Sequence, residues 1–138
     1  VECGAFVGYS AVRLARFART GPDGRGAGPR AVVSLEVDAV QACIARHFID
    51  LAGLASVSEV WIGQVRDVLP RVAEEFSQRA VGLLFLDHKG RAFHTDLEQA
   101  EQLNLLAPWA HVAADNVVSP GAPLLLWRLA HGRHWCTT

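Results

Sequence analysis

The sequence predicts an α/β fold: an open, mostly parallel twisted sheet with helices on both faces. Three observations lead there. Short runs rich in Val, Ile and Leu alternate with segments whose apolar residues recur at helical spacing. One run, "VGLLFLD" (81–87), is apolar almost throughout, as expected of a parallel strand buried on both faces. The chain has 138 residues, enough for one domain (1–138) with a sizeable core, and carries no internal repeat.

The elements follow in order. Val1-Glu2 reads as the stump of a strand, closed at once by a glycine loop. Residues 8–19 place Val12, Leu14, Ala15 and Ala18 at helical spacing. "TGPDGRGAGPR" (20–30) is rich in Gly and Pro and reads as a flexible loop. "AVVSLEV" (31–37) is a β-branched strand. Asp38 can cap the next helix, 39–53, in which Val40, Ile44, Phe48 and Leu51 form one apolar stripe. A short strand at 58–63 and a helix at 66–78 precede the run at 81–87. A helix at 94–106, a strand at 110–115 and a helix at 120–131 follow, with Pro120 near the first turn of the last. "RHWCTT" (133–138) looks like a strand just begun. With no Met and a strand stump at the start, the sequence is expected to be a fragment lacking both ends and to be marginally stable by itself.

Composition narrows the function classes. A net charge of −1 leaves no electrostatic footprint for nucleic acid or an anionic membrane. No apolar run approaches the roughly 20 residues of a membrane helix. Cys3, Cys43 and Cys136 cannot all pair and fit no zinc spacing, which points to a reducing, cytoplasmic compartment. Trp61, Trp109, Trp127 and Trp135 read as core or surface packing residues.

In open parallel sheets, ligands bind outside the carboxyl ends of the strands, so those ends are where chemistry is expected. "ECGAFVGYS" (2–10) brackets a tight loop with Gly4 and Gly8 and leads into a helix N-terminus with free N–H groups. Its spacing is E-x-G-x-x-x-G, not the dinucleotide fingerprint. Glu36 ends the second strand, where an acid commonly accepts hydrogen bonds from ribose hydroxyls. Asp87 ends one strand and Asp115-Asn116 another. If those strands are parallel neighbours, two carboxylates and an amide oxygen face one point, a hard-oxygen half-shell suited to Mg²⁺. Asp and Asn are also common turn formers, and a glycine turn or a solvated glutamate needs no ligand.

Taken together, "ECGAFVGYSAVRLAR", "SLEVD", "LLFLDHKGR" and "ADNVVSPGAP" resemble the catechol O-methyltransferase family over nearly the whole chain. "DHKGRAF" is closer to its transmembrane-type members. The resemblance implies a Rossmann-like class I methyltransferase domain that uses S-adenosyl-L-methionine and Mg²⁺. It implies that Glu2, Gly4 and Ser10 hold the methionine part of the cofactor. Glu36 would bind the ribose, Val37 would lie against the adenine, and Gly63, Val65 and His88 would line the adenosine pocket. Asp87, Asp115 and Asn116 would hold Mg²⁺, with Asp87 also beside the cofactor. Asn116 would touch the substrate hydroxyl and Pro120 would wall the aromatic ring. The partner implied is a small catechol or phenolic substrate, and the expected state is a monomer.

The sequence departs from the family at three points. Val65 and Arg66 stand where a Ser and a Gln are usual. Lys89 follows His88 directly, and Gly90 takes the position of the general-base lysine. Lys89 is then the candidate base, with His88 the other. Two further readings stay open: a Mg²⁺-dependent enzyme for larger phenolics such as caffeoyl thioesters, and a degenerate domain kept as a binding or scaffold module.

Overall fold

A computed structural model describes residues 1–21, 26, 28–132 and 135. Most of the Gly/Pro loop's centre, the strand expected at 133–138 and Cys136 lie outside the described residues. The chain forms two compact units, Val1–Val68 and Leu69–Thr138.

In the first unit, strand β1 (Glu2–Cys3) is followed by helix α1 (Tyr9–Thr20), strand β2 (Val32–Glu36), helix α2 (Ala39–Leu51) and strand β3 (Ser58–Ile62). Helix α3 (Val65–Phe76) starts here. The strands run parallel in the order β3-β2-β1. The registers are Glu2↔Ser34 and Cys3↔Leu35 for β1 with β2, and Val32↔Ser58 through Glu36↔Ile62 for β2 with β3. Flanked by β1 and β3, β2 is buried from Val32 to Leu35, in keeping with its apolar, β-branched start. Asp38 caps α2 as expected: its carboxylate accepts from the N–H groups of Val40 (2.8 Å) and Gln41 (3.1 Å).

The buried face of α2 is not the expected one. Val40, Ile44, Phe48 and Leu51 are exposed, whereas Ala42, Ala45 and Ile49 are buried. The reason is a close approach. A Cβ at Gly8 would lie 2.9 Å from the Ala45 Cα, so only small residues let α2 settle against the glycine loop. On α1, Ala11 and Ala15 are fully buried while Val12, Leu14 and Ala18 are only partly so. Ala5, Val32, Leu54, Val57 and Val60 complete this small-residue core.

In the second unit, strand β4 (Val81–Leu86) leads through a 3₁₀ turn (Gly90–Ala92) into helix α4 (Phe93–Gln102). Strand β5 (Leu106–Ala114), a π-type turn (Val117–Gly121) and helix α5 (Pro123–His131) follow. β4 and β5 are parallel neighbours, ending in the pairs Phe85↔Ala113 and Leu86↔Ala114. Several boundaries differ from expectation. α4 stops at Gln102 because Asn104 turns into a left-handed conformation (φ 53°), and β5 starts at Leu106 rather than 110. β5 is irregular: β4 steps from Val81 to Leu83 while β5 runs from Leu106 to His111. The excess is taken up around Trp109, which has φ 65° and projects into solvent. α5 begins at Pro123, not Pro120, which lies inside the preceding turn.

Candidate functional site

The first candidate site lies at the carboxyl ends of β1 and β2. After Cys3 the chain turns through Gly4 (φ 103°), Phe6 (φ 48°) and Gly8 (φ 89°), left-handed conformations that explain the two glycines. The N–H groups of Gly4 and Ala5 both point at the Leu35 carbonyl, at 2.9 and 3.1 Å, tying the loop to the end of β2. Glu36 is the hub. Its Oε2 accepts from the Phe6 N–H at 2.7 Å and its Oε1 from the Asp38 N–H at 2.9 Å. Its backbone carbonyl accepts from Gly63 N–H at 2.9 Å. The carboxylate thus bridges the glycine loop and the start of α2, and keeps lone pairs for a further donor.

Around this hub the expected cofactor residues take distinct places. Val37 is exposed beside Glu36. Gly63 (φ 149°) and Val65 sit at the turn from β3 into α3, where a Cβ on Gly63 would strike Val68 Cγ2 at 2.6 Å. Ser10 is half-buried in the first turn of α1. Glu2 does not end its strand as expected: Cys3 does, and Glu2 is wholly buried beside Ser34.

The second candidate site lies at the carboxyl ends of β4 and β5. Because Leu86 pairs with Ala114, the next residues, Asp87 and Asp115, stand at adjacent strand ends. The Asp115 N–H donates to the Leu86 carbonyl at 2.9 Å, which holds the two ends together. Asp115 Oδ1 accepts from the Asn116 N–H at 2.6 Å, and Asn116 is left-handed (φ 55°, ψ 27°). Burial pushes the Asp87 carboxyl above its ordinary range; the negative charge of Asp115 pushes it further, while His88 opposes the rise. The two acids thus stand close enough for the charge of Asp115 to be felt at Asp87.

Beside them, His88 Nε2 is 2.7 Å from the buried Asp96 carboxylate, and its ring lies 5.1 Å from that of Phe93. Its Nδ1 is buried without a hydrogen-bond partner among the described residues. Lys89 is exposed, and no hydrogen bond or ion pair to its ammonium is found among the described residues. Gly90 is held against the π-type turn: a Cβ there would lie 2.8 Å from the Gly121 carbonyl oxygen and 3.4 Å from the Ala122 Cβ. As the backbone stands, position 90 therefore has no room for a side chain. Pro120 is exposed on the same turn.

The structure brings the two strand-end acids together, and it brings Glu36 to the glycine loop. Among the described residues no three of His, Cys, Asp and Glu cluster as a metal site; the expected Mg²⁺ set has only two carboxylates, the third donor being the Asn116 amide. Asp96 escaped the sequence reading. It stands in the first turn of α4, eight residues after its partner, and an acid at a helix start has an ordinary electrostatic explanation.

Comparison with known proteins places these features. Residues 1–117 match the family described as a methyltransferase domain. Catechol O-methyltransferase of Sus scrofa is 33% identical over 99% of this chain and 70% of its own. Transmembrane O-methyltransferase of Homo sapiens is 33% identical over 99% of this chain and 45% of its own. Among solved structures, an O-methyltransferase of Bacillus cereus in complex with SAH superposes with a TM-score of 0.72. It is 32% identical, covering 87% of this chain and 50% of that one. An O-methyltransferase of Streptomyces achromogenes involved in tomaymycin synthesis, in complex with SAM, gives 0.69 at 28% identity over 96% of this chain and 52% of that one.

The fold is therefore that of the Rossmann-like methyltransferases. The chain belongs to the methyltransferase domain family and, within it, to the catechol O-methyltransferases. It spans about half the length of most of the relatives it matches. No helix of the described residues is long and apolar enough to cross a membrane.

Proposed function

We propose that residues 1–138 act as one methyltransferase domain that transfers a methyl group from S-adenosylmethionine to a catechol hydroxyl, with Mg²⁺ as the metal. The observation that carries the reading is the meeting of Asp87 and Asp115 at adjacent strand ends, with Asn116 beside them. The donor set fits a hard divalent cation. Its oxygens are two carboxylates and an amide, which leaves coordination positions for water and for two vicinal hydroxyls. The mutual repulsion that lifts Asp87 is what a cation would relieve.

Bound there, Mg²⁺ would supply Lewis acidity, making one catechol hydroxyl easier to ionise. The chain's own residues do the rest. Asp87, Asp115 and Asn116 hold the metal, and Asn116 orients the acceptor hydroxyl. Lys89, exposed and unpaired among the described residues, takes the hydroxyl proton on Nζ when it arrives uncharged; His88 is the alternative. Pro120 flanks the ring. Glu36 accepts the ribose hydroxyls on its remaining lone pairs. Gly4, Ser10 and Glu2 serve the methionine end, and Val37, Gly63, Val65 and His88 the adenosine. Orientation of acceptor and donor supplies most of the rate gain. The domain works as a monomer in a reducing, cytoplasmic compartment.

The test is methyl transfer from S-adenosylmethionine to a simple catechol, with Mg²⁺ and with chelator, beside Asp115→Ala. Transfer that needs Mg²⁺ and disappears in the variant supports the reading. A folded protein that binds the cofactor yet methylates no catechol would sink it. That result favours the binding-module reading, for which the closed position at Gly90 is the specific support.

A further inference from the structure

We propose that Asp96 is a positioning residue: through His88 it holds the backbone segment that carries Asp87, and so sets the geometry of the paired acids. The proposal rests on the metal reading above and adds a residue to it. Its basis is the arrangement around His88. The buried Asp96 carboxylate takes Nε2 at 2.7 Å, and the buried Phe93 ring lies against the imidazole at 5.1 Å. Both anchors stand in the first turn of α4, a rigid element. Asp87 is joined directly to His88, so a ring fixed on α4 fixes the peptide from which the Asp87 side chain departs.

The alternatives explain less. Among the described residues Asp96 accepts from no other donor, and a carboxylate buried to this degree is costly unless a donor meets it. Asp96 is not there as a cap: the N-cap residue of α4 is Ala92, which makes no side-chain hydrogen bond, and the Asp96 carboxylate turns to His88 instead. The pair also orients the imidazole. A carboxylate on Nε2 can only accept, so it selects the tautomer in which that nitrogen donates, and the buried Nδ1 has no partner among the described residues. Partners that orient the groups around a metal typically matter 10–100-fold in metal affinity.

The experiment measures Mn²⁺ binding by electron paramagnetic resonance in the full chain, for wild type, Asp96→Ala, Asp96→Asn and His88→Phe, with Asp115→Ala as control. The His88 Nε2–H resonance is followed by NMR in the same samples. Asp96→Ala is expected to weaken Mn²⁺ roughly 10–100-fold and to lose the slowly exchanging Nε2–H signal. Asp96→Asn, which keeps an oxygen acceptor, is expected to restore most of both. His88→Phe combined with Asp96→Ala should lose no more than either alone. Mn²⁺ affinity unchanged in a folded Asp96→Ala or Asp96→Asn that has lost the Nε2–H signal overturns the positioning role while the metal reading stands. Failure of wild type to bind Mn²⁺, or binding indifferent to Asp115→Ala, overturns the metal reading and this proposal with it.

Discussion

The Glu36 carboxylate accepts a hydrogen bond from the Phe6 N–H, 30 residues earlier in the chain, at 2.7 Å. A side chain expected to wait for a ligand is thus already part of the frame that shapes the glycine loop. Its other oxygen holds the Asp38 N–H at the entry to α2. One acid therefore sets the backbone on both sides of the proposed cofactor site.

Glu36→Gln should therefore weaken cofactor binding and the loop together. The amide NH₂ would face a backbone N–H donor, and one charge-assisted hydrogen bond would be lost. The expected cost is about 1–2 kcal/mol in urea unfolding, toward the low end for bonds to charged groups because the site is open to solvent. Cofactor affinity should fall roughly tenfold or more, read by calorimetry. An unchanged affinity would remove Glu36 from the site.

Gly90→Ala should destabilise the protein by about 1–3 kcal/mol, because the added methyl meets the Gly121 carbonyl and the turn must move. Gly90→Lys should lower the melting temperature and give no gain in methyl transfer, since the side chain enters only by displacing the 115–121 segment. A faster Gly90→Lys enzyme would show that position 90 is open after all.

Asp87→Asn should make the metal-free protein more stable at neutral pH. Burial and Asp115 raise the Asp87 pKa, so the folded state holds that proton more tightly than the unfolded chain does. The associated stability is present in full below about pH 4 and is lost as pH rises through the raised value. The Asn variant removes this neutral-pH penalty. Its melting temperature should exceed wild type at pH 7, and the gap should close on acidification. Mg²⁺ should stabilise wild type and leave the variant unmoved. A lower melting temperature for Asp87→Asn at pH 7 without metal would contradict the repulsion.

Much of this protein was legible in the residues. Continuous apolar runs marked the parallel strands, Asp38 marked the start of α2, and the acids at 36, 87 and 115 marked strand ends. These are local signals, carried by a few neighbouring side chains. The family resemblance rested on the same short motifs and held over the chain's length.

Only the tertiary structure decided the rest. Periodicity says which residues share a helix face, not which face turns inward. The larger stripe of α2 points to solvent, because Gly8 brings the backbone too close to Ala45 for anything bulkier. The end of α4 and the start of β5 moved because Asn104 and Trp109 adopt left-handed conformations that no run of apolar residues announces. The closed space at Gly90 and the Asp96 clasp on His88 belong to the same class. Each depends on an atom supplied by another segment, the Gly121 carbonyl or the first turn of α4, and distances of that kind exist only once the chain has packed.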